Sequence, residues 1–296
     1  MRVSLQNLSF KAEAIGPTQR AKMSYQAAFA QHDRQQGLIR ISWVTWSIIT
    51  VTIIVWVLTT SQAALVAGAH SVQDILMYII RNAITIQPQD DQTITKVLLA
   101  DGAKYNPLMR QGQYWRFITP IFLHVNALHV GLNMLNLLFL GIYIERLAGH
   151  IRLLFIYLVS GVVSIIASFY FAPQEVSVGA SGALFGLVGA YSMFILMHRR
   201  AMTWQGIPAI IELIVIVGFN LGLGLVIPGI DNYAHVGGLI SGCWLGWWFM
   251  PYYKVSTNGT LTDIHRLSAR WPLALLTILG TLLLAITALY LNGPKS

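Results

Sequence analysis

A serine and a histidine stand in separate glycine frames: Ser181 within Gly179-Ala180-Ser181-Gly182 and His235 within Ala234-His235-Val236-Gly237-Gly238. Each opens an apolar stretch long enough to enter a bilayer. A serine hydroxyl is inert as a nucleophile until a base within hydrogen-bond reach takes its proton. Histidine is the side chain most suited to that task near neutral pH. The two therefore read as a nucleophile and its base at membrane depth. Ser181 at a helix start adds backbone N–H groups that point toward a developing oxyanion.

A second polar pair precedes them. His129 and Asn133, in the run His124-Val-Asn-Ala-Leu-His129-Val-Gly-Leu-Asn133, are four apart and stack on one helical face. Polar side chains at this depth face the bundle interior and mark function, but they also join neighbouring helices by hydrogen bonds. Taken alone, the spacing leaves both readings open. Beside Ser181, the same two side chains supply further donors to its oxyanion.

These residues must be positioned by membrane helices. Seven apolar spans are expected, at about 42–60, 127–144, 153–172, 182–197, 207–227, 234–250 and 272–291. Gly182 and Gly186 follow Ser181 at a spacing of four, and Gly238, Gly242 and Gly246 follow His235 in the same way. Small residues at that interval let helix backbones approach closely in lipid. The fourth and sixth spans should therefore touch, with Ser181 facing His235. No span has the character of a cleaved signal peptide, since the first begins some forty residues in.

Composition agrees. Of 296 residues, 55% are hydrophobic and 10% are charged, where a soluble domain carries about 25% charged residues. The net charge of +8 would suggest nucleic acid in a soluble protein, but its placement argues for topology instead. With the N-terminus inside, the inner segments hold 13 of the 19 Lys and Arg residues, among them Arg146, Arg152, Arg199, Arg200, Arg266 and Arg270. Five of the remaining six lie in the first loop. The expected orientation is N-terminus cytoplasmic and C-terminus outside. The lone Cys243 permits no internal disulfide. A basic arm (1–40) precedes a membrane domain (41–296), whose core is about 105–250 and whose long outer loop is about 61–119. The expected setting is the lipid bilayer of a plasma membrane, with no nucleic-acid partner.

At this point the chain resembles the rhomboid family of intramembrane serine proteases. The matching pieces are Trp115-Arg116, His124-x4-His129-x3-Asn133, Gly141-x3-Glu145-x3-Gly149, Gly179-x-Ser181-Gly182 and Ala234-His235-x2-Gly238-x3-Gly242. They occur in the family's order and cover about 105–250. The resemblance implies an all-α polytopic membrane protein, a six-helix bundle plus one additional C-terminal transmembrane helix. It implies a catalytic dyad of Ser181 and His235, with His129, Asn133 and the Ser181 N–H lining an oxyanion hole. Phe185 matches the aromatic residue against which the histidine packs, and His124, Gly179 and Gly182 support the site. Arg116 and Glu145 match residues that tie the first loop to the bundle. The implied reaction is peptide-bond hydrolysis in or near transmembrane segments of other membrane proteins, without a cofactor.

Other candidates have plainer readings. Asp231 is expected as an N-cap rather than a third catalytic member. Glu212 is expected to snorkel or pair, and Asn220 to bond between helices. The histidines lack carboxylate or thiolate companions, so no metal is expected. Trp244, Trp247 and Trp248 suit interface or lipid anchors. Two rival functions remain, a non-proteolytic relative that binds client helices and a transporter using the polar residues as a pathway. The first should lack the serine or histidine; the second should show matching halves, and no internal repeat is visible.

Overall fold

The computed structural model describes residues 41–83, 92–199, 211, 229–256 and 261–291. Five described helices are long and apolar enough to cross a membrane. They are α1 (Trp43–Val66), the broken span Ala127–Ala148, α7 (His150–Phe171), α8 (Ser181–His198) and α10 (Leu267–Leu291). A sixth, α9 (Asn232–Phe249), is diluted by glycine and polar residues but at 18 residues reaches about 27 Å. The expected fifth span, with Glu212 and Asn220, lies outside the described residues apart from Ile211. The chain is thus an all-α polytopic membrane protein.

Polar residues explain where the expected boundaries moved. α1 runs to Val66, past Thr59-Thr60-Ser61-Gln62, because Thr59 donates to the Asp101 carboxylate at 3.1 Å and is not exposed to lipid. α10 starts at Leu267 and carries Pro272 inside it rather than beginning there. The expected loop after α1 is itself folded into α2 (Val72–Arg81), α3 (Gln92–Asp101), α4 (Asn106–Arg110) and two 3₁₀ turns, Tyr114–Phe117 and Thr119–Ile121. The second span consists of α5 (Ala127–Asn136), a π turn at Leu137–Gly141 and α6 (Ile142–Ala148).

The core centres on α7, whose Leu153, Ile156 and Tyr157 are fully enclosed. Beside it, α8 and α9 meet at backbone distance. A Cβ on Gly246 would stand 2.5 Å from the Ala190 Cα, and one on Gly242 2.5 Å from the Gly186 Cα. A Cβ on Gly238 would overlap the Gly182 carbonyl oxygen. From the other side, Ser164 and Ser160 of α7 fill the space that Cβ atoms on Gly182 and Gly186 would need. Only small residues allow three helices to pack this tightly.

Beyond α9 the chain forms a short hairpin not foreseen in the sequence, β1 (Tyr253–Val255) against β2 (Leu261–Asp263). Arg152 of α7 pairs with Asp263 at 2.6 Å, and His198 accepts the Tyr253 N–H at 3.1 Å. α10 lies at the periphery, with only Ala285 and Ala288 buried.

Candidate active site

The local backbone at Ser181 is set from both flanks. Gly179 has φ +125°, a conformation closed to other residues at little cost. Its N–H donates to the Pro120 carbonyl at 2.8 Å, and the Ala180 N–H donates to His124 Nε2 at 3.3 Å. The His124 Nδ1 faces the Phe122 carbonyl at 3.3 Å, so the imidazole bridges the loop before α5 to the segment before α8. Ser181 is then the first residue of α8. The N–H groups of a first helical turn have no intrahelical acceptor.

His235 enters from the first turn of α9. Its Nε2 lies 2.9 Å from Ser181 Oγ, a good hydrogen-bond length. The Phe185 ring stacks on the imidazole with centroids 4.5 Å apart and planes 18° apart, which fixes the ring's tilt. His235 is 7% exposed, and its Nδ1 has no hydrogen-bond partner among the described residues. The nearby carboxylate does not supply one. Asp231 caps α9, accepting the Ala234 N–H at 2.9 Å, as expected.

The second polar pair converges on the same place. Asn126 caps α5 by accepting the His129 N–H at 2.8 Å. The His129 ring then packs edge-on against His124, centroids 5.0 Å apart. A Cβ added to Gly179 would stand 2.8 Å from His129 Nε2 and 3.7 Å from Asn133 Nδ2. Gly179 is therefore required twice, for its φ and for the space these two side chains occupy. Asn133 is buried, and its amide nitrogen donates to nothing among the described residues. A buried donor without an acceptor carries a cost of about 1–3 kcal/mol, so its retention beside Ser181 points to an acceptor that arrives from outside.

Ser181, His235, Phe185, His124, His129, Asn133 and Gly179 thus meet at one end of the bundle, and Gly182, Gly238 and Gly242 form the helix contact beneath them. Trp115, Arg116 and Glu145 do not join them. Trp115 is 54% exposed. The expectation that Arg116 and Glu145 together tie the first loop to the bundle needs correcting. Arg116 braces the loop internally, donating to the Leu99 and Ala103 carbonyls at 2.7 Å and to Gln113. Glu145 instead sits in the first turn of α6. There it accepts the Val44 and Thr45 N–H groups at 2.8 Å, so its charge caps the start of α1.

The loop is tied to the bundle by residues the sequence reading did not single out. The buried Lys104 ammonium donates to the Ala172 carbonyl at 2.5 Å and the Glu175 carbonyl at 2.9 Å. Burial pulls its pKa down to about 8. Asn106 donates to the Phe169 carbonyl at 2.7 Å, satisfying the end of α7. Nothing in the spacing of Lys104 announced this. The Ser160-x3-Ser164-x3-Ser168 stripe of α7 did carry a signal, the same interval of four as the glycines it meets. Among the described residues, no group of three His, Cys, Asp or Glu side chains is arranged to hold a metal.

A multi-span helical membrane protein with a half-buried Ser–His pair between two glycine-packed helices belongs to a narrow class. The Rhomboid domain family matches residues 111–252, the region that carries the whole constellation. The chain is 45% identical over 150 residues to Rhomboid protease GluP of Bacillus subtilis, covering 51% of this chain and 29% of that protein. It is 34% identical over 219 residues to RHOMBOID-like protein 4 of Arabidopsis thaliana, covering 71% and 52%. Rhomboid-type serine protease 2 of Emericella nidulans is 38% identical over 137 residues, covering 45% and 26%. This chain is a rhomboid family protein. It spans at most about half the length of these relatives.

Proposed function

We propose that the protein is an intramembrane serine endopeptidase acting through a Ser181–His235 dyad. The observation that carries this reading is the 2.9 Å Ser181 Oγ–His235 Nε2 contact beside the unpaired Asn133 amide. Two of the relatives are named as proteases.

The chemistry runs in two halves. His235 Nε2 takes the Ser181 proton while Oγ attacks the scissile carbonyl carbon, and the oxyanion is held by the Ser181 N–H, Asn133 Nδ2 and His129. The imidazolium then gives its proton to the departing amine, the C–N bond breaks, and an acyl-enzyme remains. Water, deprotonated by the same imidazole, attacks the ester; the carboxylate product leaves and Ser181 regains its proton. Phe185 keeps the imidazole in the plane that serves both transfers. With Asp231 occupied as a cap, the base works without a carboxylate partner.

Substrates are membrane proteins that reach the site from the bilayer. Their scissile segment must leave its helix before a carbonyl is open to attack, so small and helix-weakening residues near the cut are expected. The membrane domain (41–296) sits in the plasma membrane with the basic arm (1–40) cytoplasmic, and the C-terminus and the active-site opening outside. Arg146, Arg152, Arg199, Arg266 and Arg270, all at the end remote from Ser181, support that orientation. The test is cleavage of a single-span reporter in proteoliposomes. Wild type should cut it and Ser181→Ala and His235→Ala should not; full activity in Ser181→Ala would sink the assignment.

A further inference from the structure

The last described helix, α10, leaves a gap beside the core. α10 touches the core at its two ends, through Leu273 and Ala274 near its start and through Ala285 and Ala288 against Phe169 and Met109 near its finish. Between α10 and α7 lies an apolar crevice of about 710 Å³, walled by Leu158 and Val162 on one side and Leu282 and Ile286 on the other. It runs along α10 from Ile278 to Tyr290, about 18 Å at the helical rise. That is close to one leaflet of a hydrocarbon core about 30 Å thick. Among the described residues, the crevice's only charged lining residue is Arg110, at the Ser181 end. The Arg110 guanidinium stands 5.9 Å over the Phe169 ring, and its side chain is exposed.

We infer that this crevice is a binding site for one phospholipid of the leaflet on the Ser181 side, with an acyl chain between α7 and α10 and its anionic headgroup on Arg110. Three observations select that occupant. The lining is apolar over a leaflet's depth, and a void of this size open to lipid fills with hydrocarbon. It is also too short for a transmembrane helix, since about 18 Å along α10 falls well below the roughly 30 Å that a spanning helix needs. The charge at its mouth is a single cation with no acidic neighbour in the lining, which complements a phosphate. The bound lipid would then wedge α10 onto the core.

The test reconstitutes the full chain in phosphatidylcholine vesicles with a trace of acyl-diazirine phosphatidylglycerol or acyl-diazirine phosphatidylcholine, and maps the photolabelled residues by mass spectrometry. The phosphatidylglycerol probe should label Val162 and Leu282 about fivefold more than the phosphatidylcholine probe, the preference expected from one basic group at the surface. Arg110→Gln should erase that preference and Arg110→Lys should keep much of it. Val162→Trp should lower crevice labelling by both probes while leaving the lipid-facing side of α1 unchanged, which also reports that the variant is folded. Three results overturn the inference. One is equal labelling of the crevice and the α1 face by both probes, which means annular lipid only. Another is a headgroup preference that survives Arg110→Gln. The third is a crevice protected from both probes, as when a protein segment closes it.

Discussion

Gly242→Ala tests whether the glycine contact between α8 and α9 sets the geometry of the Ser–His pair. The new Cβ would lie 2.5 Å from the Gly186 Cα and 2.6 Å from its carbonyl carbon. Carbon atoms rest at about 3.5–4.0 Å, so the two helices must part locally by roughly 1–1.5 Å. Both partners of that contact are backbone, so no side chain can rotate away. His235 lies two turns along the same helix. A displacement passed on at even full size stretches the 2.9 Å Ser181–His235 contact to about 4 Å, outside hydrogen-bond range. Misplacing a catalytic group by about 1 Å costs up to 10²-fold in rate. The overpacking itself costs about 1–3 kcal/mol of stability. Reporter cleavage in proteoliposomes and thermal unfolding in detergent should both fall. Gly280→Ala serves as the control, since a Cβ there meets nothing within 4 Å. Wild-type turnover and Tm in Gly242→Ala would refute the argument from backbone contact.

Further outcomes follow from the site. Asn133→Ala should lower kcat by about 10²–10³ with little change in KM, and it should not lower Tm, because the amide nitrogen has no partner to lose. Asp231→Asn should keep near-wild-type cleavage, since asparagine caps as well as aspartate; a loss near 10⁴ in kcat would instead indicate a triad. Lys104 carries a pH signature. Its folded pKa of about 8 lies below the ordinary value of about 10.4, so the unfolded chain binds more protons between those limits. Stability should therefore rise with pH across that window, and Tm measured from pH 8 to 10 should climb for the wild type relative to Lys104→Met.

Much of this was legible in the sequence because membrane helices expose their logic locally. The intervals of four from Gly182 and from Gly238 predicted which helices touch, and the structure places α8 on α9 through those glycines. Ser181, His235, His129 and Asn133 announced themselves as polar groups in apolar runs. Other features depend on distant backbone that no local pattern describes. Lys104 looks like an ordinary loop lysine until the carbonyls of Ala172 and Glu175 are seen around it. Glu145 reads as part of a Gly-x3-Glu-x3-Gly motif, yet besides the nearby His150 it binds the N–H groups of α1, about a hundred residues earlier. The hairpin after α9 has strands of only three residues, too short for a periodic signal, and is held instead by Arg152 and His198.

The central claim is that His235 activates Ser181. A fluorophosphonate applied to the reconstituted protein, followed by peptide mass spectrometry, tests it without any knowledge of the substrate. The account predicts a covalent adduct on Ser181 in the wild type and loss of that adduct in His235→Ala. Labelling of Ser181 that persists at the wild-type rate in His235→Ala, or no adduct on Ser181 in a folded wild type, would contradict it.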